Sequence, residues 1–154
     1  MTSTTCLDLR LPAVPASIRK ARDAAAAAVS RRRDDRLAEG DGRLADDIRL
    51  CVSEAVTNVV RHAYGRQRGD VEVVVERDDG EVSVVVRDDG RGMTKSEREG
   101  RAGGYGLKII ERIAAHHEIR SSPKTGVEMA MVFREQETAD TREPSPSRRT
   151  ADVA

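Results

Sequence analysis

A carboxylate and a carboxamide, Glu54 and Asn58, stand four residues apart in the run Glu54-Ala-Val-Thr-Asn58. On a helix, side chains three and four apart overlie each other, so both groups would project from one side. The carboxamide oxygen of Asn58 suits a Mg²⁺ ion held on a triphosphate, because such an ion keeps several waters and takes only one or two protein oxygens. Glu54, one turn earlier, can accept the proton of an attacking hydroxyl. Downstream, Asp88-Asp-Gly-Arg-Gly92 sets a carboxylate before two glycines at the end of a β-branched run. That carboxylate can accept from the exocyclic amine of a base, while Gly90 and Gly92 let the backbone come close to the ring. A third group, Gly103-Gly-Tyr-Gly-Leu107, leads into a helix, where free N–H groups bind phosphate and glycine permits a close approach. Each motif alone has an ordinary structural explanation: a polar pair on an amphipathic helix, a turn after a strand, a flexible loop. Their order, and the element on which each falls, point jointly to a site for Mg²⁺ and a nucleoside triphosphate.

The elements that must position these groups follow from periodicity. Residues 4–11 alternate apolar and polar and predict a strand, ended by Pro12 and Pro15. Ser17 is placed to cap an alanine-rich helix running to about Ser30. The charge run Arg31–Arg36 reads as a solvated helix end, and Gly40 and Gly42 mark a loop. Leu44, Ile48, Cys51, Val52, Ala55, Val56, Val59 and Ala63 repeat at helical spacing, which predicts a helix from about Arg43 to Tyr64, stopped by Gly65. Glu54, Asn58 and Arg61 form its polar stripe. Val71–Glu76 and Val82–Arg87, joined by Asp78-Asp-Gly80, predict a hairpin. A mobile polar segment, Thr94 to Ala102, precedes a helix from Gly106 to Ala115. His117–Arg120 and Val127–Phe133 make a last hairpin, and residues 135–154 read as a disordered polar tail behind a domain of residues 1–134. His62 is expected on the helix surface, and His116 and His117 at the entry to a strand. The predicted fold is an α/β (α+β) two-layer sandwich, a mixed, mostly antiparallel sheet with helices on one face.

Composition narrows the partners. Lys+Arg and Asp+Glu both number 27, so no net field favours nucleic acid or an anionic membrane. No apolar run approaches the roughly 20 residues that span a bilayer. Met1-Thr-Ser-Thr-Thr has neither the basic nor the apolar segment of a signal peptide, which favours a cytoplasmic location. Cys6 and Cys51 are too far apart for a metal-binding pair and are expected reduced, Cys51 buried.

Val52–Tyr64, Val86–Met93 and Gly103–Ile110 resemble, in order, the N, G1 and G2 boxes of the Bergerat-fold ATPases. Within that superfamily they are most similar to the bacterial anti-sigma-factor serine/threonine kinases, over about residues 4–134. The resemblance implies Asn58 on Mg²⁺, Glu54 as base, Asp88 on the adenine amino group and Gly90 and Gly92 against the base. It implies Gly104 and Gly106, followed by Leu107, at the phosphates of ATP. Arg101 is a candidate phosphate-clamping arginine. Such kinases transfer the ATP γ-phosphate to a serine of an antagonist protein and sequester a sigma factor, usually as homodimers. Two features depart from the family: the segment from Met93 to Gly103 is short, and Gly126 is followed by Val127 where the family prefers threonine. Two other functions stay open: a nucleotide-dependent binding module without phosphotransfer, and the ATP-binding part of a sensor histidine kinase. Against the last, the chain offers no room for a phosphoacceptor helix pair.

Overall fold

The computed structural model describes residues 2–30, 41–101 and 104–135. The elements are β1 (Thr4–Pro12), α1 (Pro15–Ser30), α2 (Asp41–Asn58) and a π-helical turn (Val59–Ala63). They continue with β2 (Asp70–Asp78), β3 (Glu81–Asp88), α3 (Lys95–Arg98), α4 (Gly106–Ile113), β4 (His116–Ser122) and β5 (Gly126–Arg134).

The strands form one sheet in the order β1-β2-β3-β5-β4, and every ladder is antiparallel. The expected two-layer sandwich is present. The mixed character expected of its sheet narrows to a purely antiparallel one, because among the described residues each strand's neighbour is reached by a hairpin or by a helical excursion that reverses direction. Alternation decides which side chains go inside. Val71, Val73 and Val75 on β2 and Val82, Val84 and Val86 on β3 are buried, while Glu72, Glu76 and Arg87 lie on the other face. Met129, Met131 and Phe133 continue the same inner face on β5.

The helices cover that face. On α1 the buried positions Ser17, Ala21, Ala25 and Val29 recur every four residues, a narrow stripe of small side chains. Such a stripe lets α1 lie close against α2, whose Ile48, Cys51, Val52, Ala55 and Val56 are fully or almost fully buried. Fully burying each valine or isoleucine contributes roughly 1.5–3 kcal/mol, so an almost entirely aliphatic core suffices. Cys51 is buried on α2, as expected, and that burial pushes its thiol up to about 12.

Several features differ from the sequence reading: α1 starts at Pro15, so Ser17 lies inside it rather than capping it. The long helix does not run as one α-helix to Tyr64: its last turn is π-helical, and Gly65 then leaves it with φ of +59°. Residues 95–98 form one helical turn where a mobile segment is expected. Its start is held by a reciprocal cap, in which the Thr94 hydroxyl accepts from Glu97 N–H and the Glu97 carboxylate accepts from Thr94 N–H. Glu135, assigned by sequence to the tail, belongs to the folded part: its N–H donates to Gly80 O, and Oε1 lies 2.7 Å from Arg77 Nε. That pair is one of charge rather than a hydrogen bond, since the Arg77 N–H does not point at the oxygen. The run Arg31–Arg36, Gly40, Gly103 and the tail from residue 136 lie outside the described residues. No helix among the described residues is long and apolar enough to cross a membrane.

Candidate functional site

The end of α2, the π-turn, the loop after β3 and the start of α4 enclose a cleft of two adjoining cavities. The first is lined by Asn58, His62, Asp88, Gly92, Met93 and Val127 among others. The second is lined by Asn58, His62, Met93, Glu97, Gly104, Gly106 and Leu107 with Gly100. Asn58, His62 and Met93 border both, so the two form one elongated cleft with Asp88 at one end and the glycine-rich α4 entry at the other.

Asp88 closes β3 and is 8% exposed, one of only two buried polar residues among those described. Its Oδ1 accepts from Gly90 N–H at 2.9 Å and from Val127 N–H at 3.2 Å. Among the described residues Oδ2 has no hydrogen-bond partner. Burial pushes the Asp88 carboxyl above its ordinary value, and the two backbone N–H bonds offset part of that rise. A buried carboxylate with one oxygen tied to the backbone and the other free is a fixed acceptor at the cleft wall.

Glycine makes this geometry possible at two points. A Cβ on Gly90 would collide with the Ala63 carbonyl of the π-turn, which itself accepts from Arg91 N–H at 2.9 Å. Gly126 has φ of +82°, and a Cβ there would collide with the Asp88 backbone carbonyl and lie 2.8 Å from Asp88 Oδ1. The β3–β5 register opposes Asp88 to Val127, so Gly126 is what lets β5 pass beside the carboxylate. Val127 supplies a backbone N–H at the place where the family prefers a threonine. Gly126→Ala is therefore expected to cost about 1–3 kcal/mol from the left-handed φ and the crowding together. A thermal melt checks this: an unchanged midpoint would mean that β5 does not press on Asp88.

Tyr64 ties the loop to the helix end. Its hydroxyl lies 2.6 Å from Asp89 Oδ1 and accepts from Asp89 N–H at 3.2 Å, with its ring against Gly69. Burial, reinforced by the Asp89 bond, pushes the phenol up to about 12. Asp89 is exposed to solvent yet anchored.

The other predicted residues are brought together unevenly. Asn58, Asp88, Gly92, Gly104, Gly106 and Leu107 line the cleft. Gly90 packs on Ala63 rather than lining it. Glu54 sits one turn before Asn58, beside the cleft: a Cβ on Gly106 would come within 2.6 Å of Glu54 Oε2. The bare glycine at the α4 entry is what accommodates that carboxylate. Arg61 is exposed, whereas His62, expected on the surface, faces the cleft one turn after Asn58. Arg101 is turned outward, its side chain 75% exposed and 2.6 Å from Glu99 Oε2.

Sequence reasoning missed Arg91 and Glu97. Arg91 engages both carboxylate oxygens of Glu97, and His62 Nδ1 stands 3.6 Å from Glu97 Oε1. The capping pattern Thr94-x-x-Glu97 is the signal that could have located Glu97. Among the described residues no group of three or more His, Cys, Asp or Glu converges to hold a metal ion.

A family model described as a histidine kinase-like ATPase domain matches residues 11–133. The anti-sigma F factor of Pasteuria penetrans is 36% identical over 98 residues, covering 56% of this chain and 65% of that protein. The anti-sigma F factor of Bacillus subtilis (strain 168) is 34% identical over 91 residues, covering 52% and 62% respectively. The matched stretch thus spans slightly under two thirds of those relatives' length. Among solved structures, the histidine kinase domain of the blue-light activated histidine kinase of Erythrobacter litoralis EL346 superposes with a TM-score of 0.52 at 26% identity. That superposition covers 59% of this chain and 44% of the other. With more than half of its length matched by the family model, the chain belongs to the histidine kinase-like ATPase domain family.

Proposed function

We propose that this chain is an ATP-binding anti-sigma regulatory factor that phosphorylates a serine or threonine of an antagonist protein and sequesters a sigma factor. The observation that carries the reading is Asp88, a buried carboxylate with a free Oδ2 at one end of a cleft whose other end is a glycine-lined helix start. Curated relatives named anti-sigma F factor support the partner assignment. In this reading Asp88 Oδ2 accepts from the adenine amino group, and the backbone at Gly104 and Gly106 faces the phosphates. The chain acts in the cytoplasm as a homodimer.

The residues present fit the group. A cavity bordered by glycines leaves room for phosphate oxygens, and a triphosphate-bound Mg²⁺ asks for only one or two protein oxygens. Asn58, which borders both cavities, can offer its carboxamide oxygen, so the absence of a three-ligand cluster among the described residues is no obstacle. ATP supplies the γ-phosphoryl group; Glu54 takes the proton of the substrate hydroxyl as it attacks. Asn58→Ala should weaken binding of Mg·ATP far more than binding of metal-free nucleotide. Equal losses with and without Mg²⁺ in a calorimetric titration would give Asn58 another role.

One observation favours a second reading, a nucleotide-dependent binding module that transfers nothing: Arg101 points away from the cleft toward Glu99. Incubation with labelled ATP and purified candidate antagonists separates the two. Label on a serine or threonine supports the kinase, and partner binding without label supports the module. Label on a histidine of a partner would instead favour the detached ATPase part of a sensor histidine kinase.

A further inference from the structure

Glu97 is a carboxylate held inside the glycine-lined end of the cleft, in the cavity that Asn58, His62, Gly104 and Gly106 also line. Its side chain is 13% exposed. Arg91 donates to it through two nitrogens, Nη1 to Oε2 at 3.2 Å and Nη2 to Oε1. His62 Nδ1 stands 3.6 Å from Oε1, and Thr94 N–H donates to Oε2 at 2.8 Å. A forked guanidinium, an imidazole and a backbone N–H around two oxygens is the arrangement that binds a planar or tetrahedral oxyanion, whether carboxylate or phosphate. The Arg91 hydrogen bonds, more than any other contact, pull the Glu97 carboxyl down to about 2, so the group is an anion across the neutral range.

Building on the nucleotide-binding reading above, we infer that Arg91, with His62 beside it, forms an anion subsite for the distal phosphates of the nucleotide, and that Glu97 fills this subsite when no nucleotide is bound. A phosphate entering the same cavity meets the Glu97 charge at short range, in surroundings that screen it far less than water. Glu97 must then surrender Arg91 and His62 to the incoming anion. Loss of its side chain from the subsite need not dissolve α3, because the Thr94 hydroxyl still accepts from Glu97 N–H at 3.2 Å. Arg91 does not line the cavity itself but is held at its edge by Glu97, whereas Arg101 pairs with Glu99 on the outside.

A competing explanation is that Glu97 only caps α3. Glutamine fills that position of the cap as glutamate does, so Glu97→Gln keeps the cap and removes the charge. Calorimetric titration of the full chain and of Glu97→Gln with adenosine, ADP and ATP distinguishes the two. The expected result is ATP affinity raised on the order of tenfold in Glu97→Gln, the equivalent of one charge-assisted hydrogen bond released. ADP should gain less, and adenosine should be unchanged. Arg91→Gln should weaken ATP on the order of tenfold and leave adenosine unchanged, by the same equivalence. ATP affinity unchanged or lowered in Glu97→Gln, or adenosine shifted by the same factor as ATP, would overturn the inference. An unaltered chain that binds none of the three ligands would instead overturn the nucleotide reading, and this inference with it.

Discussion

Glu54→Gln should slow phosphoryl transfer to an antagonist serine or threonine at least about a hundredfold, the low end of what general-base assistance contributes. Glu54 lies one helical turn before Asn58, with Oε2 in the space left by the missing side chain of Gly106. It lies beside the glycine-lined end of the cleft and away from the Asp88 end. Glutamine has the same shape, so the fit against Gly106 and the binding of ATP and of the sigma factor should survive. Only the capacity to take a proton is lost. A mutant that transfers phosphate at the unaltered rate would remove Glu54 from the chemistry. A mutant that also loses ATP would assign Glu54 to the metal or phosphate contacts and undo the division of roles between Glu54 and Asn58.

Asp88→Asn should lose ATP affinity on the order of 10- to 100-fold, the worth of a charge-assisted hydrogen bond in a buried site. The fold should persist, and the sign of the Asp88 shift says why. Burial raises the folded carboxyl above its unfolded value, so the folded state holds this proton more tightly than the unfolded chain does. The stability contributed by that group is present below the unfolded value and lost as pH rises through the folded one. At neutral pH the ionised Asp88 is therefore a burden on stability that asparagine does not impose, while the asparagine Oδ1 can still accept from Gly90 and Val127. The mutant's melting midpoint at pH 7 should equal or exceed that of the unaltered chain. A mutant that keeps full ATP affinity would show that the free Oδ2 contacts nothing on the ligand. A mutant that unfolds would mean that the Oδ1 bonds need the charge.

The strands were readable because residues 4–11 alternate apolar and polar, and because β2 and β3 are β-branched valine runs joined by the turn signal Asp78-Asp-Gly80. The alanine stripe of α1 and the apolar repeat of α2 were readable for the matching reason. What stayed hidden depended on contacts between distant residues or on local departures from regular geometry. Nothing in Gly126-Val127 alone announces that it will lie beside Asp88; the β3–β5 register makes it so. The π-turn at Val59–Ala63 leaves no mark on hydrophobic periodicity, yet within it Arg61 is exposed and His62 faces the cleft. Thr94-x-x-Glu97 carried a capping signature that the high polarity of its neighbours outweighed. Arg101 lies in the segment from which a phosphate-clamping arginine is expected, but its pairing with Glu99 is a contact that no sequence pattern announces.

The account holds that Asp88 makes this a site for adenine in particular, and the most direct measurement is a calorimetric titration of the full chain with Mg·ATP against Mg·GTP. In the proposed site the exocyclic amine of adenine would donate to the free Oδ2, whereas guanine would present a carbonyl oxygen at the same place, and two acceptors facing each other in a buried site repel. A site built to pair with a donor rejects the analogue lacking it strongly, because its own buried group is left unpaired. The prediction is that ATP binds with a measurable enthalpy and that GTP binds at least about a hundredfold more weakly. Equal affinity for the two nucleotides, or no binding of ATP, would contradict it.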